Sequence, residues 1–302
     1  MLLRKAPMVS LVNQQRLLGS LASMVDPIQY REFKLLVKPE LFHKPRSFRE
    51  FGKIARRTAK KLGAKLSKTG STGKVQLREV LFYDTPHFRL YNNGFILRTR
   101  TPIKHGMPYR RYEMVLKFRH PDKNVAAAVD VRPLLPSIYT VKFKEELLPL
   151  RETLGSHRTL YSHNCELDSP NLILMQRFEI ISQVFPALRG LGANPKAVMC
   201  VVNGLVIDEE LVTLGVLDFG GKMTAKATVA IWRNHATRQP IAGEFSFQLK
   251  FERPEVVPRK AWMLSESFYH QLQLDAEDWI QLGSTKTAIV YGLGKVPVRN
   301  AE

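Results

Sequence analysis

The feature that most constrains the fold is a period of two in several short segments. From residue 113 to residue 119 one set of alternate positions carries three charged side chains, and the other set is Met, Leu and Phe. Successive side chains of a β-strand point to opposite faces, so this period is typical of a strand. Residues 222–231 and 244–251 repeat the pattern. The chain is therefore predicted to form strands with one apolar and one charged face.

The alternation leaves two arrangements of these strands open. An antiparallel sheet could be covered by helices on its apolar side and keep its charged face in water. A closed barrel, apolar outside and charged inside, would instead gather the charges around one cavity. The charged faces hold many Lys and Arg beside single Glu residues. This composition favours the barrel and predicts an anionic ligand.

Helical periodicity appears in three places between the strands. It predicts helices over residues 47–66, 171–191 and 259–280. No linker long enough to separate two domains is evident. We therefore expect a single domain over residues 28–297, preceded by a basic tail or helix (1–27) and followed by a short tail (298–302).

Charge and cysteine content limit the partners and the compartment. The chain carries 46 Lys and Arg against 27 Asp and Glu, a formal net charge of +19. Such a charge attracts nucleic acid, acidic membrane surfaces or phosphorylated small molecules. No apolar run approaches the roughly 18 residues of a membrane span, so we expect no membrane partner. Two cysteines, Cys165 and Cys200, predict no disulfide framework and hence a cytoplasmic setting.

One longer segment carries a family pattern. Residues 81–100 read LFYDTPHFRLYNNGFILRTR. This resembles the Y-F-D-T-P-x-x-x-L-x-x-x-G-x-x-L-R-x-R stretch of the CYTH superfamily, or triphosphate tunnel metalloenzymes, which includes adenylate cyclases of one class, thiamine triphosphatases and inorganic triphosphatases. Residues 30–34 resemble its E-x-E-x-K strand, and residues 115–117, 240–249 and 284–291 resemble later segments in order. The resemblance implies an α+β fold, in which eight antiparallel strands close into a tunnel with helices packed outside.

The resemblance also implies a site. Guanidinium and ammonium groups suit the roughly four negative charges of a triphosphate, and Mg²⁺ or Mn²⁺ takes oxygen ligands. The implied catalytic and phosphate-binding residues are Lys34, Arg98, Arg100 and Lys117, and the wider substrate set adds Arg119, Lys226 and Lys286. The implied metal ligands are Glu32 and Glu244, with Glu113 as a third.

Three departures from the family pattern leave the reaction open. Tyr30, Ser246 and Gln248 stand where the family has carboxylates, and Glu113, Asp130 or Glu146 are the acids that could substitute for them. We expect a metal-dependent phosphohydrolase acting on inorganic, nucleoside or organic triphosphate. The alternative is a non-catalytic module that binds polyphosphate or a nucleotide. Nucleic-acid binding through the basic helix at residues 47–66 ranks last, because the bases on the strands are arranged for one compact site and no aromatic residues are interleaved with them for stacking.

Overall fold

A computed structural model gives the fold, and it describes residues 26–109, 111–168, 170 and 172–293. The predicted tails therefore lie outside the described residues, apart from residues 26 and 27. No helix in this described part of the chain is long and apolar enough to cross a membrane. The division into one domain and two tails stays a prediction.

Twelve strands and six α-helices form among these residues. The strands are β1 (Ile28–Val37), β2 (Lys65–Ser67), β3 (Val75–Asp84), β4 (Phe95–Lys104), β5 (Met107–Pro108), β6 (Glu113–His120), β7 (Tyr139–Leu148), β8 (Arg158–Asp168), β9 (Cys200–Val201), β10 (Ile207–Asp218), β11 (Thr224–Asn234) and β12 (Pro240–Lys250). The helices are α1 (Pro45–Leu62), α2 (Arg89–Asn92), α3 (Lys123–Ala128), α4 (Phe178–Val184), α5 (Arg259–Asp275) and α6 (Lys286–Gly292).

Nine of the strands close into a barrel. Their order around it is β3, β4, β6, β8, β7, β1, β12, β11 and β10, and β10 pairs again with β3. The predicted fold class, an α+β closed barrel with helices outside, is confirmed. Two details of the prediction are wrong: the barrel has nine strands instead of eight, and β1 runs parallel to β7. An odd number of strands cannot alternate direction all the way around a ring, so the ninth strand requires one parallel pair.

The strand alternation places apolar side chains on the outside of the barrel, under helices. Phe245, Phe247 and Leu249 of β12 are buried in one core with Phe268 of α5. The ring of Phe33 on β1 stacks on that of Phe247, with 4.4 Å between centroids. Removing these rings from water is a major favourable term of folding. It also fixes the register, because a one-residue slip would turn the charged faces outward.

An apolar cluster fills one end of the barrel interior. Phe82, Ile96 and Trp232 are inward-facing members, and Tyr291 of α6 joins them. The rings of Tyr291 and Tyr91 stack with centroids 4.0 Å apart. The tunnel is therefore closed at this end, and its charged part lies on the other side of the cluster.

The helix predictions hold unevenly. The first predicted helix ends at Leu62, because Gly63 adopts a left-handed conformation (φ 83°) and residues 65–67 form β2. The third ends at Asp275 and is followed by one 3₁₀ turn, Glu277–Trp279. The second is wrong over about half of its length, since only α4 and the 3₁₀ turn Pro186–Leu188 are helical there.

Candidate anion-binding tunnel

The charged part of the barrel interior surrounds a cavity of about 120 Å³. Inward-facing residues of the strands line it, and the start of α6 closes its inner end. Its basic lining residues are Lys34, Arg98, Arg100, Lys117, Arg119, Lys144 and Lys286, and its acidic ones are Glu32, Glu166 and Glu244. The basic side chains predicted from separate segments thus converge on one enclosed space.

Two predicted site residues do not line this cavity. Lys226 is exposed, because β11 pairs with β12 only from Thr228 onward and Lys226 lies beyond that point. Glu113 begins β6 at the rim of the barrel, where 41% of its side chain is exposed, and its carboxylate lies 3.6 Å from Arg100. Asp130, a possible substitute acid, is 67% exposed and pairs with Arg132. The other eight predicted residues all line the cavity.

Glu146 holds one group of the basic side chains. Its buried carboxylate lies 2.5 Å from Nζ of Lys117, 3.0 Å from Nζ of Lys34 and 3.1 Å from a guanidinium nitrogen of Arg119. It also accepts a 2.6 Å hydrogen bond from Ser162. Burial alone would raise the pKa of Glu146, but these cations hold it well below its usual value. The carboxylate therefore stays ionised and fixes the positions of three ligand-binding candidates.

Glu209 of β10 holds a second group. Its carboxylate contacts Arg78 at 2.5 Å and Arg100 at 3.9 Å, and accepts a 2.9 Å hydrogen bond from the indole of Trp232. Lys286 lies between this acid and the cavity, with its Nζ 3.2 Å from Glu244 and 4.0 Å from Glu209. Burial lowers the pKa of Lys286, although both carboxylates act in the opposite direction.

Arg98 differs from its neighbours because no carboxylate of the described residues lies within ion-pairing distance of it. Its buried Nε has no hydrogen-bond partner, and its guanidinium lies 5.9 Å from the ring centroid of Phe82. Burial, followed by the charge of Arg100, lowers the pKa of Arg98 to about 9. Even a half-buried cation is costly without a counter-ion, so this position favours an anion from solution.

The three departures from the family's acids form neutral contacts. The Tyr30 ring lies 5.6 Å from Nζ of Lys144, a cation–π distance. Gln248 accepts a 2.9 Å hydrogen bond from the same Lys144, and the hydroxyl of Ser246 lies 3.2 Å from that of Thr228. These side chains orient polar neighbours and add no carboxylate to the tunnel.

The predicted metal ligands do not form a cluster of three acids, and the backbone positions of Glu32 and Glu244 are well separated. In the pairing of β1 with β12, Glu32 lies opposite Gln248, whereas Glu244 lies opposite Leu36. The Cα positions of Glu32 and Glu244 are thus separated by four residues along the strands, about 13 Å. No group of three or more His, Cys, Asp or Glu among the described residues is placed to hold a metal ion. Glu32 is also paired with Lys34 at 3.2 Å. Burial alone would raise the pKa of Glu32, but the charges of Lys144 and Lys34 lower it to about 2.

A single carboxylate nevertheless fits the minimal requirement of Mg²⁺. This ion keeps several waters and is often held by one or two carboxylates together with substrate phosphates. Glu32 and Glu244 both line the cavity and face basic residues that would bind those phosphates. Either acid can serve as such a ligand only when a phosphate supplies further oxygens.

Glu209, Lys144 and Arg78 are site residues that the sequence analysis missed. Glu209 lies within three consecutive acids, Asp208 to Glu210, which hide the alternation of β10. Lys144 belongs to the charged face of β7, but no segment that resembles the family pattern includes it. Arg78 precedes the recognised segment by three residues.

The comparisons with known proteins concern the fold. No family model matches the chain, and no curated protein matches it significantly. A protein from Hippeastrum, described as a candidate adenylyl cyclase with a dominant triphosphatase activity, is 12% identical with a TM-score of 0.41 over 90% of this chain and 99% of its own. Candidate adenylate cyclases from Bacillus halodurans and Vibrio parahaemolyticus, each 12% identical, have TM-scores of 0.37 and 0.33, over 87% of this chain in both cases and 98% and 99% of their own.

Proposed function

We propose that this protein binds a triphosphate in the tunnel and hydrolyses it with Mg²⁺ or Mn²⁺ in the cytoplasm. The proposed substrate is inorganic triphosphate, or a nucleoside or organic triphosphate. The observation that carries the proposal is Arg98, a half-buried cation with a buried Nε that lines the cavity without a carboxylate partner among the described residues.

The charge balance of the tunnel supports a polyanionic ligand. Seven basic side chains line the cavity, against three acids. Glu146 and Glu209, which lie behind the lining, add two more acids but leave a basic excess. A ligand with several negative charges would compensate this excess, and guanidinium groups such as those of Arg98 and Arg100 contact phosphate oxygens in a bidentate manner.

The dimensions of the tunnel support a phosphate chain at its inner end. The cavity of about 120 Å³ is much smaller than the roughly 300 Å³ or more of a typical drug-sized ligand pocket. The apolar cluster around Trp232 closes the inner end. Any organic group on the substrate would therefore lie toward the open end, and the phosphates would lie among the basic residues.

The residues of the chain would act mainly by binding and orienting the substrate. Arg98, Arg100 and Lys117 would hold the phosphate oxygens in a fixed geometry, and Glu146 would keep Lys117 in position. Glu32 or Glu244 would contribute a carboxylate to a bound Mg²⁺ or Mn²⁺. That ion would supply neutralisation of the charge that develops on the phosphates.

The test is product release from a panel of tripolyphosphate, ATP and thiamine triphosphate, with Mn²⁺, with Mg²⁺ and with EDTA. Phosphate, pyrophosphate and cyclic nucleotide are measured separately. We expect phosphate release that requires the metal, and a loss of affinity of about 10- to 100-fold in Arg98→Ala, from the loss of charged hydrogen bonds. Lys226→Ala, outside the cavity, is the matched control. If Arg98→Ala binds every triphosphate as tightly as the wild type, the tunnel is not the site.

A non-catalytic binding module is the second candidate function. It is favoured by the pairing of tunnel acids with lysines, such as Glu32 with Lys34 and Glu244 with Lys286. Isothermal titration with tripolyphosphate separates the two candidates. Tight binding that EDTA leaves unchanged, with no product after many hours, would establish the binding module and exclude the hydrolase.

A further inference from the structure

The positive charge of the chain is concentrated on one outer surface, away from the tunnel. Residues 44–74 contain eleven Lys and Arg and a single acid, Glu50, so this tenth of the chain carries more than half of the net charge of +19. Ten of the eleven basic residues are exposed. None of them lines the tunnel cavity.

Most of these cations lack a counter-ion within the described residues. Arg46 pairs with Glu50, Lys61 lies 3.8 Å from Asp275, and Arg56 donates to the carbonyl of Leu66. The side chains of the other eight form no ion pair or hydrogen bond with any residue that the structure describes. These eight are Lys44, Arg49, Lys53, Arg57, Lys60, Lys65, Lys68 and Lys74. Each added like charge destabilises such a surface unless an external anion compensates it.

Part of this surface forms a concave groove of about 770 Å³ between α1 and the loop after β2. We call it the outer groove. The packing of α1 against the outward side of β10 forms its floor, where Phe48, Val212 and Leu214 lie. Its basic residues are Lys44, Arg49, Lys53, Arg56, Lys68, Arg233 and Arg238, with Glu210 as the one acid of the described lining.

The basic residues follow α1 with a regular spacing. Arg49, Lys53 and Lys60 are separated by four and then seven residues, which places them along one side of a helix. At 1.5 Å per residue they span about 16 Å. Thr69 and Thr72 add hydroxyl groups to the opposite wall of the groove. A row of cations beside hydroxyl groups is the usual composition of a surface that contacts a phosphate backbone.

We propose that the outer groove and the adjoining face of α1 bind the phosphodiester backbone of duplex nucleic acid. A protein partner fits less well, because protein interfaces are depleted in Lys and exclude charge from their centre. Unpaired strands fit less well too, since they are bound by stacking on aromatic rings. The aromatic residues in the described lining, Phe42 and Phe48, are 1% and 8% exposed and offer no such platform.

The test measures binding of a fluorescein-labelled 20-base-pair DNA duplex by anisotropy between 50 and 300 mM NaCl. The test variant is Arg49→Glu, Lys53→Glu, Lys68→Glu, whose residues are exposed and line the groove. The control variant makes the same change of charge at Arg151, Lys196 and Lys260, which are also exposed but lie elsewhere. Circular dichroism checks that both are folded.

We expect the wild type to bind with an affinity that falls steeply with salt. The groove variant should bind at least about 30-fold more weakly at 100 mM NaCl, with a salt slope smaller by about two to three, because three phosphate contacts are lost. The control variant should change less than about threefold. Arg98→Ala should bind the duplex as the wild type does, so that this result stays separate from any result on triphosphates.

Four outcomes would overturn the proposal. The first is a wild type that does not bind the duplex even at 50 mM NaCl, and the second is an equal loss of binding in both triple variants. The third is displacement of the duplex by polyglutamate of equal charge as effectively as by unlabelled DNA, which would make the groove a site for acidic polypeptide. The fourth is tighter binding of a single strand of the same length than of the duplex, which would contradict recognition of the backbone alone.

Discussion

Glu146 is the buried acid that three of the tunnel's seven basic residues share. It is fully buried and contacts Lys34, Lys117 and Arg119. Glu146→Gln keeps the shape but leaves these cations without their common carboxylate. Breaking a buried ion pair in this way typically costs about 3 kcal/mol or more.

We therefore expect Glu146→Gln to lower the free energy of unfolding in urea by about 3 kcal/mol. The matched control is Glu166→Gln, whose carboxylate is 21% exposed and, among the described residues, forms an ion pair with Lys142 alone. That substitution should cost less than about 1 kcal/mol. Equal effects of the two variants would show that the cluster around Glu146 does not depend on its charge.

Asp84 predicts a pH dependence of stability. Its carboxylate accepts hydrogen bonds from the backbone N–H of Thr85, Leu90 and Tyr91 and so caps the turn after β3. Burial raises the pKa of Asp84 from 3.8 to about 6, although the hydrogen bonds act in the opposite direction. The folded protein thus holds this proton more tightly than the unfolded chain does.

The contribution of Asp84 to stability should therefore be largest below about pH 4 and should fall as the pH rises to about 6. The difference in unfolding free energy between wild type and Asp84→Asn isolates it, because the other titrating groups cancel. We expect this difference to be larger at pH 4 than at pH 7, by on the order of 3 kcal/mol. A difference that grows with pH would mean that the carboxylate is stabilised in its charged form.

At the scale of residues, most of the tunnel's basic side chains were predictable. Arg98 and Arg100 belong to a long ordered motif, and the alternation of β6 predicted the direction of Lys117. The acids were harder to predict, because an ion pair joins residues that are distant in sequence. Glu209 and Arg78, for example, are 131 residues apart. Nothing local in either segment indicates that partner.

Among the elements, β10 depends on a single glycine. The ladder of β10 with β11 shifts by one residue between Thr213 and Gly215, and β2 pairs with β10 next to this bulge. Gly215 has a φ of 150°, and a Cβ added there would lie 2.4 Å from the carbonyl oxygen of Ser67. The close approach of β2 therefore requires a residue without a side chain.

We expect Gly215→Ala to displace β2 and to lower the free energy of unfolding by about 1–3 kcal/mol. Gly220→Ala is the control, since Gly220 also has a positive φ (81°) but a Cβ there would meet nothing within 4 Å. Its cost should be limited to backbone strain, about 1 kcal/mol. Faster hydrogen exchange of β2 amides in Gly215→Ala alone would verify the cause, and unchanged exchange would contradict it.

The sequence predicted strands better than helices at this scale. Charged and apolar residues alternate in β6, β11 and β12 because each strand separates a charged tunnel from an apolar core. The predicted helix at residues 171–191 formed over only about half of its length, for a different reason. Its apolar residues, including Leu174 and Phe185, pack against the barrel from an irregular segment, so their spacing reflects contacts with the strands. The parallel pairing of β1 with β7 follows from the odd number of strands in the barrel, and no local pattern in the sequence indicates that number.

For the whole molecule, the important contrast is between the two sets of basic residues. Those in the tunnel are largely matched by buried acids such as Glu146 and Glu209, so they are held in place by ion pairs. Those at residues 44–74 are exposed and largely unmatched. Buried pairs are screened little by salt, whereas repulsion between exposed charges is screened strongly. The two sets should therefore respond differently to ionic strength.

We expect the unfolding temperature to rise by a few degrees between about 10 and 300 mM NaCl, since the Debye length shortens from roughly 30 Å to less than 10 Å. The variant Arg49→Glu, Lys53→Glu, Lys68→Glu should melt at a higher temperature than the wild type at low salt and should lose most of the salt dependence. The variant at Arg151, Lys196 and Lys260 has the same net charge but should lose less of it, because its residues lie outside the dense cluster. Circular dichroism melts at matched pH measure both effects. An unfolding temperature that falls with salt would instead mean that attractive pairs, and not repulsion at residues 44–74, dominate the surface electrostatics.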